Sequence, residues 1–210
     1  MKRIQGILIF FCAAGLVCAP ARASAIFTTF SIQPASLNAS PGDAGDAFDV
    51  VLTDNGPASV SVQSFSFEVS VSNPSITLTG VDFSTAADAY IFTGDSFDFI
   101  NSFPLNTSSG QTLDASDATN DGSGITLNAG QSLALGRVLF NVAAGIAPGA
   151  YSVSFTGGAD FNNLSNPAGG GIPVSQLTGG TITISSVPEP ATALLLGSAL
   201  SLLGLLRRKR

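Results

Sequence analysis

The side chains best suited to chemistry in this sequence are four oxygen donors that lie close together: Asp114, Asp117, Asn120 and Asp121. Carboxylate and amide oxygens are the ligands that Ca²⁺ prefers in proteins. If Asp117 is taken as the first position of an EF-hand loop, a glycine stands at the sixth position, but Asn128 stands at the twelfth, where that loop needs a bidentate Glu. Two interpretations stay open, a calcium site and a solvated acidic loop, and the missing Glu favours the loop.

The sequence has few side chains suited to catalysis. The sequence has no His, and both cysteines, Cys12 and Cys18, lie near its start. A nucleophile therefore lacks an ordinary base. Glu68 is the only Glu between residues 26 and 186, whereas a glycosidase needs two carboxylates at a set separation. We predict that the protein is not an enzyme and needs no cofactor, with Ca²⁺ as the only candidate ion.

The charge is strongly one-sided in the middle of the chain. Between residues 26 and 186 there are 13 acidic side chains and one cation, Arg137, so this stretch has a formal net charge of −12. Proteins that bind nucleic acid neutralise phosphates with Lys and Arg, and this function is therefore excluded. The alternation around Arg137 predicts a surface position on a strand, where it pairs with one of the acids.

Five aromatic residues are grouped within fourteen positions: Tyr90, Phe92, Phe97, Phe99 and Phe103. If they were exposed, they would form an adhesive patch. Sugar-binding surfaces favour Trp and Tyr, which combine an apolar ring with a polar group, but the chain has no Trp and only two Tyr. We therefore favour burial of this group in a core.

Short runs of alternating apolar and polar residues, separated by turn signals, position these side chains and are typical of an all-β sandwich. The pattern predicts strands at 26–32, 48–53, 60–71, 76–81, 133–142, 151–155 and 181–184, with less regular candidates at 91–92 and 97–100. The alternation changes phase near Ser64, which predicts a β-bulge within 60–71. Residues 106–110 and the polar stretch 114–124 are predicted to be loops.

Residues 1–25 have the composition of a secretory signal peptide. Lys2 and Arg3 precede a long apolar run, and Ala23 and Ala25 each complete a small-x-small cleavage site. We predict export by the Sec machinery and cleavage after Ala23 or Ala25. Both cysteines leave with this segment, so the mature chain has no thiol and no disulfide.

The other end has the composition of a membrane anchor. Residues 191–206 are uncharged and rich in leucine, and four basic residues follow: Arg207, Arg208, Lys209 and Arg210. A sixteen-residue helix spans about 24 Å, which reaches across a locally thinned bilayer. A basic cluster stays on the cytoplasmic side. We therefore predict a transmembrane helix over 191–206 and place residues 26–186 outside.

This tail resembles a known sorting signal. The residues Val187, Pro188, Glu189 and Pro190, the short apolar helix and the basic terminus stand in the order of the PEP-CTERM signal of bacteria. The resemblance covers 187–210. It implies a membrane-bound processing enzyme, an exosortase, that acts near the motif. It also implies delivery to the cell envelope or the extracellular polymer matrix, as with other signals whose apolar tail is removed.

The middle of the chain is similar to cohesin-like sandwich domains. The matching segments are 41–43, 48–52, 64–70, 73–81, 135–142 and 149–153. The similarity covers most of 40–185 and implies a nine-stranded, jelly-roll-like sandwich. It implies protein recognition if the family's binding face is retained.

Together these features predict an exported bacterial protein with one all-β ectodomain over 26–186, held at the membrane by 191–206 until the tail is processed. We expect a structural or adhesive role at the cell surface or in the matrix, with exopolysaccharide or another surface protein as the partner. The alternative is a specific binding module that recognises a protein, a glycan or ice.

Overall fold

The computed structural model describes residues 27–84, 86–97, 106–108 and 110–186, with 106–108 described by their backbone alone. Within this part the chain forms strands and one 3₁₀ turn, Gly158–Asp160. The strands are β1 (Thr28–Gln33), β2 (Ser36–Ala39), β3 (Ala44–Asp54), β4 (Val60–Val62), β5 (Ser64–Val71), β6 (Ile76–Asp82), β7 (Asn106–Ser108), β8 (Thr112–Ala118), β9 (Ile125–Leu127), β10 (Ser132–Val142), β11 (Gly149–Phe155), β12 (Asn163–Ser165), β13 (Gly171–Ile172), β14 (Val174–Thr178) and β15 (Gly180–Ile184).

Two packed sheets form a sandwich. The five-stranded sheet has the order β14-β1-β3-β10-β6. The eight-stranded sheet has the order β13-β12-β5-β11-β15-β2, with β8 on the other side of β5 and β7 beside β8. Strands β4 and β9 form a separate two-stranded ribbon. This architecture confirms the all-β sandwich predicted from the sequence. No helix within the described ranges is long and apolar enough to cross a membrane.

Strand alternation decides which side chains reach the core. Along β5, Phe65, Phe67, Val69 and Val71 are buried, and the residues between them are partly exposed. Rings from other segments pack against them: the Phe65 and Phe92 ring centroids are 5.6 Å apart. Burial of one such side chain contributes about 1.5–3 kcal/mol. Many buried rings therefore stabilise a domain that has no disulfide.

The first two strands run beside the last two, and each of these two segments passes from one sheet to the other. β1 pairs in parallel with β14 in one sheet, and β2 pairs in parallel with β15 in the other. At the crossing, the Thr181 N–H donates to the Ala35 carbonyl at 2.9 Å. Gly179 lies between β14 and β15, and a Cβ on this residue would be 2.4 Å from the Val153 carbonyl oxygen. The crossing therefore requires glycine at this position.

This pairing fixes where the two chain ends emerge. Thr28 lies opposite Val174, and Ala39 lies opposite Ile184. Because a strand rises about 3.3 Å per residue, the start of β1 and the end of β15 are roughly 35 Å apart, at opposite ends of the sandwich. We term the end that holds Ile184 the tail end and the opposite end the far end.

The prediction of one bulged strand over 60–71 is wrong. β4 ends at Val62 and pairs with β9, whereas β5 begins at Ser64 and enters the eight-stranded sheet. The phase change in the sequence marks a passage between two sheets, because each strand buries its own set of alternate residues.

Two predicted loops are wrong in part, although residues 119–124 do form a turn after the strand. Residues 112–118 form β8, and residues 106–108 form β7 beside it. The inward positions of β8 are Leu113, Ala115 and Asp117. Because Ala115 is small and Asp117 is acidic, the sequence of β8 shows no clear apolar alternation. In contrast, the candidate strand at 91–92 is a turn, and of the candidate at 97–100 only Phe97 lies within the described residues. The nine strands that the cohesin resemblance implied are more interrupted here, since β1/β2 and β14/β15 are each split.

Candidate functional site

The structure places two of the four proposed calcium ligands on opposite faces of a strand. Asp114 and Asp117 lie on opposite faces of β8, where Asp114 points outward and Asp117 is buried. Asn120 and Asp121 follow in the turn after the strand. In the part of the chain that the structure describes, no group of three or more acidic side chains could hold a metal ion. The structure therefore does not bring these four residues together as one centre, and a calcium site there stays a hypothesis.

Asp117 has a structural role inside the sandwich. Its Oδ2 accepts hydrogen bonds from the hydroxyls of Tyr90 and Ser96, and its Oδ1 accepts one from the Ala118 N–H at 2.7 Å. These donors replace water around the buried carboxylate. The network ties β8 to the segment after β6. The sequence analysis missed it because an acid at an inward strand position resembles a turn residue.

Two loops meet at the far end through Asp95 and Asp121. The Asp121 N–H lies 3.3 Å from the Asp95 carboxylate, and the Asn120 N–H donates to the Asp95 carbonyl at 2.7 Å. Loss of water contacts and the neighbouring Asp121 carboxyl raise the pKa of Asp95. Hydrogen bonds from the N–H and hydroxyl of Ser123, each 2.8 Å long, lower the pKa of Asp121. The pKa values of these two neighbouring carboxyls are therefore shifted in opposite directions.

The outer face of the eight-stranded sheet is a polar surface rich in hydroxyls. The residues that face each other across β5 and β8 include Ser66 and Ser116, Glu68 and Asp114, and Ser70 and Thr112. Glu68 lies on the outer face of β5, as its phase predicted. Its carboxylate accepts a hydrogen bond from the Thr156 hydroxyl, because the loop after β11 folds over this face.

A groove of about 200 Å³ lies between this outer face and the 3₁₀ turn, and Ser66, Asp114, Asp160 and Phe161 line it. The Ser66 hydroxyl donates to the Phe161 carbonyl at 2.8 Å, which holds the turn against β5. The Phe161 ring itself is 47% exposed. An exposed ring beside polar groups is a common feature of protein-binding surfaces, so this groove is a candidate recognition surface.

Arg137 pairs with a single acid, which confirms the sequence prediction. Its Nε lies 2.7 Å from Asp49 Oδ1 and its Nη2 lies 3.1 Å from Oδ2. The Ala87 N–H donates to the same carboxylate at 2.8 Å. The hydrogen bond with Asp49, together with the charges of Asp49 and Asp82, raises the pKa of Arg137. The charge of Arg137 is thus used in an ion pair within the domain.

The aromatic group divides between core and surface. Tyr90 and Phe92 are buried, which confirms the core interpretation for these two residues. Phe97 is 38% exposed, and Phe99 and Phe103 lie outside the described residues.

One long side of the sandwich is uncharged. Residues 26–42 and 161–186 contain no Asp, Glu, Lys or Arg, and they form β1, β2 and β12 to β15. β14 is the edge of the five-stranded sheet and β2 is an edge of the eight-stranded sheet. We term this surface the neutral side. Its two charge-free runs are visible in the sequence, but only the fold shows that they meet.

The predicted processing residues lie outside the described part of the chain: Ala23, Ala25, Val187, Pro188, Glu189, Pro190, Arg207, Arg208, Lys209 and Arg210. The described part of the sandwich extends to Ser186. The Ser185 N–H donates to the Ala39 carbonyl at 3.1 Å, and Val187 follows two positions later. The predicted motif therefore adjoins the tail end directly.

Comparison with known families identifies this segment. Residues 186–210 match the model of the PEP-CTERM protein-sorting motif. The chain carries a PEP-CTERM sorting signal. This signal is that of an exported protein that an exosortase sorts, in agreement with the signal peptide predicted at the other end. No curated protein matches the chain.

The sandwich that precedes the PEP-CTERM signal is similar to solved cohesins. A type I cohesin from Clostridium thermocellum, crystallised as a cohesin–dockerin complex, has a TM-score of 0.55 at 13% identity and covers 76% of this chain and 99% of its own. CaCohA2 from Clostridium acetobutylicum has a TM-score of 0.57 at 13% identity, with 79% and 94% covered. A non-cellulosomal cohesin from the archaeon Archaeoglobus fulgidus has a TM-score of 0.51 at 17% identity, with 76% and 91% covered. The sandwich therefore has a cohesin-like fold.

Proposed function

We propose that this protein is a non-enzymatic adhesive or structural protein of the cell surface and extracellular matrix, with one ectodomain over residues 26–186. The observation that carries the proposal is the position of β15. This strand ends at the tail end, where Ser185 bonds to Ala39, next to the sorting motif. The tail end is therefore the anchored end, and the far end points away from the membrane.

The polar residues support a role without catalysis. The buried Asp117 accepts hydrogen bonds from two hydroxyls, and the buried Asp49 is paired with Arg137. Between residues 26 and 186 the sequence has no His, Cys or Lys. The His base and the Cys nucleophile that many hydrolases use are therefore missing from the ectodomain. The acidic surface favours solubility and weak contacts with divalent cations in an anionic matrix.

A specific protein-binding module is the second candidate. The Clostridium thermocellum relative was crystallised in a complex with a dockerin, and the fold is shared. In this chain the groove with Phe161, Asp114 and Asp160 offers an exposed ring and two carboxylates to a partner. A pull-down that gives one stoichiometric partner, lost in Phe161→Ala, would favour this candidate over a general matrix role.

Two measurements test the main proposal. The intact mass of the protein from the cell surface and the medium should end near Pro190 or carry an adduct there. A mass that includes Arg210, with the protein only in membranes, would contradict processing and release. Cells that lack the protein should lose mutual adhesion or matrix retention and regain it on complementation. Unchanged adhesion in the deletion strain would overturn the adhesive role.

A further inference from the structure

We propose that β14 is a homophilic docking edge, at which β14 of a second copy of this chain pairs antiparallel and extends the five-stranded sheet across both molecules. The inference rests on the adhesive function proposed above and names its partner. It draws on the backbone of β14, the groove beside it, and the distribution of charge.

β14 is an edge strand whose protection is confined to its first residues. Its last four residues, Ser175 to Thr178, are exposed, and within the described ranges no strand pairs with its outer edge. Natural edge strands are blunted by Lys, Pro, inward charges or bulges. Pro173 precedes β14 and its register shifts at Ser175, but from Gln176 to Thr178 it pairs regularly with β1 and carries no charge. Its outer edge therefore presents a regular backbone to an added strand.

An apolar groove of about 400 Å³ accompanies this edge, and Leu164, Ile172, Pro173, Val174 and Leu177 are among the residues that line it. Leu177 lies opposite Phe30, whose side chain faces the core. Leu177 is nevertheless 40% exposed, because the two sheets separate at this side. An added strand that carries one apolar side chain on its inner face would cover the groove.

The charge distribution selects a second copy as the occupant. Two identical domains with a net charge of −12 over residues 26–186 repel each other wherever their acids face. The neutral side lets them approach without opposing carboxylates. β14 also provides both halves of the contact, since it has an exposed Leu177 and borders the groove. A two-fold interface needs this kind of self-complementary patch.

The geometry of such a pair follows from the strand direction. A two-fold axis perpendicular to the sheet makes the two β14 strands antiparallel and keeps both Leu177 side chains on the inner face. β15 continues in the direction of β14 to the tail end. The two tail ends therefore lie at opposite ends of the pair. Such a pair joins two surfaces, rather than two neighbours on one membrane.

Cysteine crosslinking on intact cells tests this edge, because the mature chain has no cysteine of its own after the predicted cleavage. Ser175→Cys, Gln176→Cys, Leu177→Cys and Thr178→Cys are made one at a time. The position nearest the axis should yield a disulfide-linked dimer roughly five times more often than the control, because disulfides form only over short Cα distances. The control is Thr79→Cys, exposed on β6 at the other edge of the same sheet. Crosslinking no stronger than in the control at all four positions would overturn the proposal.

Two further variants separate the edge from general adhesion. Leu177→Asp combined with the strongest crosslinking cysteine among Ser175, Gln176 and Thr178 should abolish the dimer, since it places two carboxylates on the neutral side. Thr79→Asp, which adds the same charge at the other edge, should leave the dimer intact. Mixed cell populations with two different tags should give mixed-tag dimers. Dimers that form only within one population would contradict the antiparallel arrangement.

The failure of this inference is distinguishable from failure of the adhesive function. If the deletion strain adheres normally, the proposed function fails. If adhesion depends on the protein but Leu177→Asp cells adhere as well as the parent and give the same dimers, only the β14 edge is wrong.

Discussion

Asp49 and Arg137 face each other on β3 and β10 and meet at two points, with Nε–Oδ1 and Nη2–Oδ2 distances of 2.7 and 3.1 Å. The Asp49 carboxylate is nearly buried, whereas the Arg137 side chain is 30% exposed. The pair therefore contributes to stability mainly because it neutralises the buried Asp49 carboxylate. Removal of one partner from a buried pair leaves an uncompensated charge.

Arg137→Ala should lower the free energy of unfolding by about 2 kcal/mol, less than for a fully buried pair because Arg137 reaches solvent. Urea denaturation of the purified protein measures the change. The double variant Asp49→Leu with Arg137→Met removes both charges and should recover most of the loss. An unfolding free energy unchanged by Arg137→Ala would show that the pair is dispensable.

Asp117→Ala should be among the most destabilising single changes in the ectodomain. It leaves the buried hydroxyls of Tyr90 and Ser96 without their acceptor, and the cost of such groups is about 3 kcal/mol in total. Tyr90→Phe should cost about half as much. The matched control is Ser116→Ala, one position earlier on the outer face of β8, with an expected change below about 0.5 kcal/mol. Equal losses in Asp117→Ala and Ser116→Ala would contradict the buried network.

Asp46 should give the fold a specific pH dependence. Burial and the neighbouring Asp43 raise the pKa of Asp46, and its Oδ2 is buried without a hydrogen-bond partner among the described residues. The folded state then holds a proton that the unfolded state has released. The contribution of Asp46 is therefore favourable at low pH and is lost as the pH rises from about 4 through the raised pKa.

Asp46→Asn removes this titration. The difference in unfolding free energy between Asp46→Asn and the parent should grow as the pH rises from about 4 through the raised pKa and then stay constant. Ser116→Ala, which changes no titratable group, serves as the control and should show no such rise. A pH-independent difference for Asp46→Asn would count against the raised pKa.

Calcium should have little effect on stability. The separation of Asp114 from Asp117 leaves no single centre, so 1 mM Ca²⁺ should shift Tm by less than about 1 °C relative to a chelator. A site with a Kd of about 10 μM would add about 2.7 kcal/mol at this concentration, which corresponds to a shift of several degrees. Such a shift, abolished by Asp121→Asn, would show that the far end binds the ion after all.

Gly179→Ala should test the crossing between the sheets. A Cβ here would lie 2.4 Å from the Val153 carbonyl oxygen, and the backbone would have to move apart, at a cost of about 2 kcal/mol or more. Gly171→Ala meets no atom within 4 Å and should change the unfolding free energy by less than about 0.5 kcal/mol. Equal thermal stability of the two variants would mean that the crossing adapts without strain.

The sequence predicts strands well where alternate residues are large and apolar. β5 is such a case, with Phe65 and Phe67 inward and Ser64 and Ser66 outward. β8 escapes prediction because its inward positions include a small Ala115 and a hydrogen-bonded Asp117. β14 escapes because a strand at an open edge buries little and needs no apolar alternation.

Features that depend on strand register could not be predicted from the sequence. Arg137 was expected to pair with an acid, but its choice of Asp49 follows from the alignment of β10 with β3. The proposed calcium ligands were close in sequence, yet period-two alternation sends Asp114 and Asp117 to opposite faces. In contrast, the sorting signal needs no register, because its parts are read in linear order, and the family match at 186–210 confirms its presence.

The pairing of β1 with β14 also constrains when this protein can fold. The Thr28 hydroxyl donates to the Pro173 carbonyl across 145 residues of chain. β1, the first strand to be synthesised, can therefore pair with β14 only when nearly all of the ectodomain has been made. Contacts of such long sequence separation form slowly. The sandwich can close only after nearly the whole ectodomain has crossed the membrane, when little but the sorting tail is left behind. Translocation of an extended chain and completion of the fold are thus ordered in time by topology alone.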